Sequence, residues 1–550
     1  MDQLISGARA WWIIGALAVL AALAGVFTVQ PLDRDEARYT QATAQMLETG
    51  NFIEINFQDD ARNKKPVGIY WMQAAIVGLF SDAEARQVWA YRIPSVIGAM
   101  LAALGCFWAG LCLTNREAAF AGAALFAVSV LLASEGGIAK TDAMLTGLTT
   151  IAMAALAALR TGGGKREAII FWASIGLGVL VKGPVTPMIA GLGIIALVIW
   201  ERKAAWLKPL LFWPGPVLAA LLVLPWLIAI QIATGGAFLS EALGDDLGPK
   251  LVSGHERHGG LPGFHLLLLS VLSMPFIFFL VPGLRSIAGS VRNKESDAGA
   301  TARFLLAWII PSWLVFELLP TKLPHYTLPL YPALALIAAI GWQWLREAPA
   351  WSRWTSIALG LFGSVVLTAL IAAVVTIYGE AHIAGYIAAG VVAVLCIGLA
   401  VETARQRMAS ALVLAIVAGL GWHVMARGVA VTLAPDLDLS RRAAAAAESL
   451  AGAAGVESGA TLSTYTEPSF VFLSGTDTQL LEFEDFGDAI ASQTGPFISV
   501  EDTSRSGDDL SVLEQVETRV CGQREVPGVN YSRGDETVLI VRLHNCSEEG

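Results

Sequence analysis

Apolar runs of about 20 residues recur along most of this chain, and each is long enough to cross a hydrocarbon core about 30 Å thick. The 550-residue chain is 55% hydrophobic and only 15% charged, whereas soluble domains carry about 25% charged residues. The pattern therefore predicts an α-helical polytopic membrane protein. The first run, residues 11–30, is too long for the core of a signal peptide and has no clean small-x-small cleavage site, so we predict a retained helix.

Hydropathy predicts about thirteen spans along the chain. They cover residues 11–30, 92–113, 117–134, 141–159, 168–183, 186–201, 209–232, 264–284, 304–319, 326–345, 354–378, 383–402 and 409–433. The alternate connectors carry Arg and Lys, for example at 202–208 and 285–294. Because short basic loops resist translocation, these connectors are expected in the cytoplasm, with the N-terminus inside and the C-terminus outside.

Two stretches outside the spans have a different character. Residues 35–48 have the pattern of an amphipathic helix, and residues 67–80 form an apolar stretch that is short for a span and suits an interfacial helix. A full span at 67–80 would reverse the parity and place the tail in the cytoplasm. The tail is soluble in composition, so we predict a transmembrane domain, 1–433, and an outer α/β domain, 434–550.

The predicted elements of the outer domain are a helix and several short strands. The helix is 440–454, and the strands are 461–465, 469–473, 497–500 and 537–543. The chain's net charge of −10 arises mainly here, and nothing in the sequence resembles a basic face for nucleic acid. Cys521 and Cys546 lie in this polar tail; in an oxidising compartment they would pair, and otherwise they are two free thiols. Both alternatives remain open.

Polar clusters occur at the predicted outer ends of the spans. Their members are Asp33 to Tyr39 (DRDEARY), Lys64-Lys65-Pro66, Lys140-Thr141-Asp142, Lys182, His255, Arg257 and His258, and Lys322, His325 and Tyr326. A single charge at such a position is as readily a snorkelling or topology-setting group as a functional one. The set is harder to explain in that way, because charges at membrane depth are costly unless they pair or line a cavity.

Transfer of a sugar from a lipid phosphate would use this mixture of charges. Lysine and arginine side chains stabilise the charge that develops on the leaving phosphate. A carboxylate accepts the proton of an acceptor hydroxyl, or stabilises positive charge at the anomeric carbon. Asp35 or Asp142 suits the carboxylate role, and Arg38, Lys65 and Lys322 suit the phosphate.

The ordered strings RDEARY, KKPVGIYW, KTDAMLTG, KGPV and TKLPHYTLPLYPALAL resemble the GT-C membrane glycosyltransferases. The similarity is to the branch of the lipid A aminoarabinose transferase and related polyprenyl-phosphate-sugar transferases, and YTEPSFVFLSG and GVNYSRG resemble that family's periplasmic domain. The resemblance implies thirteen spans in the bacterial inner membrane, an undecaprenyl-type phosphate donor, inverting transfer onto lipid A, lipopolysaccharide or another envelope acceptor, and a periplasmic active site.

Carried over by position, the resemblance assigns Asp35, with Glu36, Arg38 and Tyr39 in its motif, and also Lys65 and Asp142. Catalytic candidates are therefore Asp35, Glu36 and Asp142. Together with the polar clusters above, the candidates for binding phosphate or substrate are Arg38, Tyr39, Lys64, Lys65, Lys182, Arg257, His258, Lys322, His325 and Tyr326. Lys64 departs from the family, which has Glu before this lysine. A metal contact of that acid is therefore in doubt, so a divalent metal stays open and no other cofactor is indicated. The added cation suggests an acidic donor sugar.

Three other functions compete with this one. A lipid-linked sugar flippase or transporter would also need many spans, but it usually shows repeat symmetry and broken helices in matching positions, which this sequence lacks. A protein O-glycosyltransferase of the same superfamily would differ in acceptor loops that sequence separates poorly. An inactive binding protein is disfavoured by the intact set of carboxylates and lysines.

Overall fold

A computed structural model describes residues 7–242, 244, 260–457, 459–505 and 519–546. In the first half of the chain the helices are α1 Gly7–Leu23, α2 Arg34–Thr49, α3 Gly68–Phe80, α4 Val88–Leu113, α5 Arg116–Ala127, α6 Val130–Gly136, α7 Asp142–Arg160, α8 Lys165–Lys182, α9 Val185–Glu201, α10 Pro214–Ala233 and α11 Ala237–Glu241. A hairpin of β1 Asn56–Phe57 and β2 Asp60–Ala61 lies between α2 and α3.

The second half of the membrane part continues with α12 Phe264–Leu272, α13 Ile277–Ser290, α14 Asp297–Leu318, α15 Tyr331–Gln343, α16 Ala350–Tyr378, α17 Ile383–Ala404 and α18 Met408–His423. A 3-10 helix, Pro324–Leu330, precedes α15, and a π-helical stretch, Val424–Ala430, extends α18. The chain is thus a multi-pass helical membrane protein.

Seven helices within the described residues are long and apolar enough to cross a membrane. They are α4, α7, α10, α14, α16, α17 and α18 with its extension to Ala430, and the pair α5–α6, bent by 55°, makes up to eight. Helices α1, α3, α9 and α13 are apolar but shorter. The predicted span 264–284 is divided between α12 and α13. The count of about thirteen spans is larger than the number of these long helices and remains a prediction.

The two elements predicted between the first and second spans are present. The amphipathic helix predicted at 35–48 is α2, and the apolar helix predicted at 67–80 is α3. Asp33 caps α2, since its carboxylate accepts hydrogen bonds from the backbone N–H groups of Asp35 at 2.8 Å and Glu36 at 3.1 Å. Gly50 ends the helix in the left-handed region, with φ of 68°.

The C-terminal domain contains a five-stranded mixed sheet flanked by helices. Its elements are α19 Leu439–Ala454, β3 Thr461–Ser463, α20 Pro468–Ser474, β4 Thr478–Leu480, α21 Phe483–Ala491, β5 Phe497–Asp502, β6 Val520–Asn530 and β7 Asp535–His544. The strand order is β4-β3-β5-β7-β6, with the first three strands parallel and the last three antiparallel. The predicted helix at 440–454 and strands at 461, 497 and 537 are confirmed.

One element of this domain is wrong in the sequence-based prediction. Residues 469–473, predicted as a strand, lie in helix α20, which begins with Pro468 at a position where proline favours a helix start. Periodicity does not separate a short strand from a short buried helix when every residue is apolar and buried, as Phe470, Val471 and Phe472 are. The edge strands β4 and β6 and the helix α21 were also missed.

A disulfide joins Cys521 in β6 to Cys546 just after β7, with the two Cα atoms 6.3 Å apart. The bridge therefore ties together the last two strands of the sheet. Cys106, Cys112 and Cys396, in the membrane part, are free.

Candidate active site

A cavity of about 490 Å³ lies at one end of the membrane domain. One part of its wall is charged, with Lys64, Lys65, Lys182 and Asp142. The rest is apolar and aromatic, from α7, α8, α10, α11, the end of α14 and the 3-10 helix: Leu145, Val179, Leu180, Val223, Trp226, Leu227, Phe238, Leu239, Phe316, Leu319 and Tyr326. We call this space the catalytic-side cavity. It joins a cationic end to an apolar groove, a polarity that suits a lipid with a phosphate head.

Asp142 is the first residue of α7 and is 5% exposed. Its Oδ1 accepts a hydrogen bond from Nζ of Lys182 at 2.5 Å and lies 3.8 Å from Nε2 of His325. Three of the predicted residues, from three separate segments, therefore meet at one carboxylate. A charge-assisted pair of this kind holds the carboxylate in its ionised form and in one orientation.

Close contact between α4 and α7 fixes the position of Asp142. A Cβ atom on Gly98 would lie 2.4 Å from the backbone nitrogen of Met144, and one on Gly147 would lie 2.7 Å from the backbone oxygen of Gly98. Small residues let the backbones of membrane helices approach in this way. The two glycines thus seat the first turn of α7 against α4.

Glu135, which the sequence analysis did not single out, extends this cluster. Its Oε1 lies 3.7 Å from Nδ1 of His325, so His325 sits between Glu135 and Asp142. Ligand atoms of these three residues lie within 4.8 Å of one another, a spacing that suits a metal ion. Positive charge already lies beside both acids, with Lys182 on Asp142 and Lys140 3.6 Å from Glu135. The cluster is a candidate site for a divalent cation, and no step of the reaction is assigned to one.

Asp35 lies in the first turn of α2, with its side chain 54% exposed. Nη2 of Arg62 is 3.5 Å and Nη1 of Arg38 is 3.7 Å from Oδ1 of Asp35. Burial raises the pKa of this carboxyl group, but Arg62, Lys140, Arg38 and Lys65 outweigh it, and the net pKa is below the usual value. Asp35 is accordingly a carboxylate at neutral pH.

Lys140 connects the two carboxylate clusters. Its Nζ donates a hydrogen bond to Oδ2 of Asp33 at 2.9 Å, next to Asp35, and its other neighbour is Glu135. Burial lowers the pKa of Lys140, but Glu135, Asp33 and Asp142 raise it well above the usual value. The motif after the first helix and the motif before α7 therefore meet on one side of the membrane domain, as the sequence analysis predicted.

Tyr39 lies between the same clusters. Its ring is 3% exposed and packs against Tyr70 at 5.2 Å between centroids, and the guanidinium of Arg62 lies 5.2 Å from its centroid. Burial raises the pKa of its hydroxyl, and the negative charges of Asp35 and Asp142 both raise it further against the opposing effect of Arg62. Arg62 was missed, although it stands two residues before the lysine pair that was noticed.

Glu36 does not face the cavity, and the catalytic role suggested for it is not supported. Its side chain is 2% exposed and forms a two-pronged ion pair with Arg92, at 2.7 and 2.9 Å. Its Oε1 also accepts the backbone N–H of Ala139 at 2.8 Å, while Arg92 donates to the backbone oxygens of Val26 and Val29. Glu36 holds the segment after α1, the start of α4 and the turn before α7 together.

Of the remaining predicted residues, some line the catalytic-side cavity and others do not. Tyr326 lines the catalytic-side cavity, with Nζ of Lys182 5.8 Å from its ring centroid. Lys322 is 5% exposed, does not line this cavity, and donates to the backbone oxygen of Leu319. The geometry therefore does not support Lys322 as a phosphate ligand. His255, Arg257 and His258 lie outside the described residues.

A many-helix membrane domain with a charged cavity at one end and a small α/β domain is the architecture of the GT-C fold. The structure matches two solved structures over most of its length. One is ArnT from Cupriavidus metallidurans bound to undecaprenyl phosphate, with a TM-score of 0.75, 15% identity and 98% of each chain covered. The other is the oligosaccharyltransferase AglB from Archaeoglobus fulgidus, with a TM-score of 0.51, 12% identity, and 92% of this chain and 70% of that one covered.

Sequence comparisons lead to the same group of proteins. Residues 64–228 match the family described as dolichyl-phosphate-mannose-protein mannosyltransferase. Relatives named undecaprenyl phosphate-alpha-4-amino-4-deoxy-L-arabinose arabinosyl transferase are 28% identical, in Erwinia tasmaniensis over 56% of this chain and 54% of that protein, and in Pseudomonas aeruginosa over 57% of each. The chain thus spans about half the length of these relatives. The resemblance to GT-C membrane glycosyltransferases is confirmed.

Proposed function

We propose that this protein is an inverting glycosyltransferase that moves a sugar from a polyprenyl phosphate, of the undecaprenyl type, onto lipid A or another envelope acceptor. The observation that carries the proposal is the catalytic-side cavity, where lysines and Asp142 face an apolar groove. Asp35 does not line this cavity, but Lys140 joins its neighbour Asp33 to Glu135 of the Asp142 cluster. The names of the relatives support the same donor and reaction. The acceptor follows from the resemblance alone.

In the proposed reaction, Lys64, Lys65 and Lys182 bind the donor phosphate while the polyprenyl chain lies along the groove of α8 and α10. The acceptor hydroxyl attacks the anomeric carbon from the face opposite the phosphate, and the bond from that carbon to the phosphate oxygen breaks. The phosphate leaves with the electron pair, and the lysines stabilise its added charge. The proton of the hydroxyl passes to a carboxylate.

Asp35 is our choice for that carboxylate, because its side chain is exposed and it is ionised at neutral pH. Asp142, held by Lys182 and next to His325, then stabilises positive charge at the anomeric carbon and orients the lysine. Arg38 and Tyr39 would position the substrates around Asp35. If the acceptor oxygen belongs to a phosphate, little proton transfer is required and Asp35 acts through its charge.

We place this reaction on the periplasmic side of a bacterial inner membrane, with the N-terminus in the cytoplasm. The disulfide of the C-terminal domain supports an oxidising compartment for that domain. The domain packs on α2, which carries Asp35, so the domain and the catalytic carboxylate belong to the same side. Cysteine labelling that finds residues 35 and 142 on opposite sides of the bilayer would contradict the whole assignment.

The direct test is transfer by the purified full-length protein in proteoliposomes, with an undecaprenyl-phosphate-linked sugar, lipid A, and detection by mass spectrometry. Asp35→Asn and Lys65→Ala are expected to abolish transfer while the protein stays folded. Asp60→Asn and Lys208→Ala, which change the same residue types away from the cavity, should transfer normally. Near-normal transfer by both site variants would end the proposal.

Transfer to protein is the second candidate, because the family matched at residues 64–228 is named for protein mannosyltransferases. Mass spectrometry of lipid A and of envelope proteins, from cells with and without the gene, decides between the acceptors. A flippase is separated by the same variants: Asp35→Asn should still move a lipid-linked sugar across the membrane if the protein is a transporter.

Lys64 lines the cavity where the related branch has Glu. We propose that this cation favours a donor with an acidic sugar. Lys64→Glu should then lower transfer of uronic sugars relative to amino sugars, and an unchanged preference would count against it.

A further inference from the structure

A second cavity lies at the other end of the same helices. Its volume is about 1390 Å³. Asp142, at the start of α7, lines the catalytic-side cavity, and Arg160, at the end of α7, lines this one; the helix has 19 residues, or a length of about 28 Å. Helix α9 likewise runs from Val185 at the first cavity to Glu201 at the second. We call this space the opposite cavity.

The opposite cavity carries a positive charge. Five cations line it against two carboxylates, Glu201 and Asp297, an excess of three positive charges. The cations are Arg160, Arg202, Lys203, Lys294 and Arg303. Basic residues at the ends of membrane helices commonly only set topology. Lys208, Arg285 and Arg346 lie on the same face but outside the cavity walls.

Two of the five cations are already committed to Glu201. Arg160 donates to this carboxylate, and Arg303, which is 4% exposed, donates from Nε to its Oε1 at 2.8 Å. The other nitrogens of Arg303 bond to the backbone oxygens of Val291, Asn293 and Lys294 at 3.1 to 3.4 Å. This buried arginine therefore fixes the loop that carries Lys294, and Glu201 has little capacity left for another cation.

The other three cations are Arg202, Lys203 and Lys294, whose side chains have neither a hydrogen bond nor an ion pair with any described residue. They border one cavity from two separate loops. Cations that converge on one cavity without a partner are suited to an anion, and a phosphate group accepts hydrogen bonds from several of them at once.

The surroundings favour a phosphate that belongs to a lipid. Trp200 and Trp206 stand on the cavity wall, and indole rings concentrate at the headgroup level of membranes. Ile199 and Leu211, on either side of the loop with Arg202 and Lys203, are 71% and 82% exposed. Acyl chains would cover these apolar side chains while the headgroup reaches the cations.

We propose that the opposite cavity binds the phosphate headgroup of an anionic glycerophospholipid. Basic pockets between membrane helices bind such headgroups in other proteins. The proposal does not rest on sugar transfer, because none of its residues lines the catalytic-side cavity.

The test uses the full-length protein in detergent micelles, titrated with phosphatidylglycerol or phosphatidylcholine, with bound lipid counted by native mass spectrometry. The wild type should bind phosphatidylglycerol more tightly, and the triple variant Arg202→Gln, Lys203→Gln, Lys294→Gln should lose at least about tenfold of this affinity. The matched triple Lys208→Gln, Arg285→Gln, Arg346→Gln removes the same charge from the same face and should bind normally. A third triple variant, Arg202→Lys, Lys203→Arg, Lys294→Arg, keeps the positive charge and should also bind phosphatidylglycerol normally.

Equal losses in the two glutamine triples would overturn the proposal, since binding would then depend on general surface charge. Unchanged affinity in the cavity triple would also overturn it. Inorganic phosphate supplies the control for the source of the anion: if it displaces phosphatidylglycerol and binds as tightly, the cavity is a phosphate site and the lipid assignment is wrong. Size-exclusion chromatography and melting without added lipid show whether each variant is folded.

Discussion

Asp35 and Glu36 are neighbours in sequence, but their side chains meet different surroundings. Successive residues of an α-helix point about 100° apart. Asp35 therefore faces Arg38 and Arg62 at the exposed side of α2, while Glu36 faces inward to Arg92. The side chain of Asp35 stays accessible beside its two arginines, and Glu36 holds three segments of backbone in place.

The two acids should therefore fail in different ways when they are neutralised. Glu36→Gln leaves Arg92 as a buried charge without a counter-ion, and we expect a loss of about 3–5 kcal/mol in the free energy of unfolding. Asp35→Asn should abolish transfer with little change in stability. Thermal unfolding in detergent measures both, with the exposed Glu84→Gln as a control expected within about 0.5 kcal/mol of wild type. A Glu36→Gln protein as stable as wild type would contradict this.

Arg62 should control the pH at which transfer fails in acid. It is the cation with the largest lowering effect on the pKa of Asp35, so Arg62→Gln raises that pKa. The carboxylate is then protonated at a higher pH, and the acid limb of the pH–rate profile should move upward. Arg86→Gln, whose arginine pairs with Glu48 instead, should leave the limb in place. A limb that does not move in Arg62→Gln would show that Asp35 does not set it.

At the scale of elements, the crossing of α4 and α7 places Asp142. Gly98 and Gly147 allow backbone contact there, and α4 also carries Arg92, the partner of Glu36. The two helices therefore set the distance between the Asp142 cluster and the start of α2. A change in their spacing should move one carboxylate relative to the other.

Gly98→Ala tests this dependence. Its methyl group would lie 2.4 Å from the backbone nitrogen of Met144, and overpacking of this kind costs about 1–3 kcal/mol. We expect lower stability and a lower transfer rate, measured by thermal unfolding and by the proteoliposome assay. Gly191→Ala is the matched control, because a Cβ on that helical glycine has open space around it. Equal stability and equal transfer rates in the two variants would show that the crossing of α4 and α7 does not control the site.

At the scale of the whole molecule, the C-terminal domain packs on α2, the helix that carries Asp35. Thr476 accepts hydrogen bonds from Gln41 at 2.8 Å and Arg86 at 3.2 Å, and donates one to Glu48 at 2.7 Å. Phe472 packs edge-on against Tyr91, with centroids 5.3 Å apart.

The YTEP motif supplies Glu467, 3.4 Å from Nε of Arg34, and the NYSR motif supplies Ser532, which donates a hydrogen bond to Glu467. These two motifs therefore act at the contact with α2.

Thr476→Val should loosen this contact. The variant leaves Gln41, Arg86 and Glu48 without a shared partner, which costs about 1–3 kcal/mol. We expect faster hydrogen exchange in residues 41–49 and a lower transfer rate, with an unchanged membrane domain. Thr494→Val, at an exposed position of the same domain, should leave both unchanged. Exchange in α2 that does not respond to Thr476→Val would show that the domain does not support this helix.

Local sequence was sufficient wherever a pattern is repeated along the chain. Hydropathy predicted a membrane protein, the periodicity of residues 35–48 and 67–80 predicted α2 and α3, and ordered polar strings pointed to the GT-C fold. The strings also brought Asp142, Lys182 and His325 forward as candidates, and the structure places them in contact. Each of these conclusions needs only residues close to one another in the sequence.

Only the tertiary structure determined which side chains from distant segments of the chain contact one another. The family motif that Glu36 shares with Asp35 suggested a catalytic role, yet Glu36 pairs in the interior with Arg92, 56 positions away. Contacts with distant segments likewise place Glu135 beside His325 and Arg62 beside Asp35. The apolar stretch at 469–473 forms a helix and not the predicted strand. The physical reason is that burial and ion pairing depend on distances in space, and a linear pattern fixes those distances only within one helix or strand.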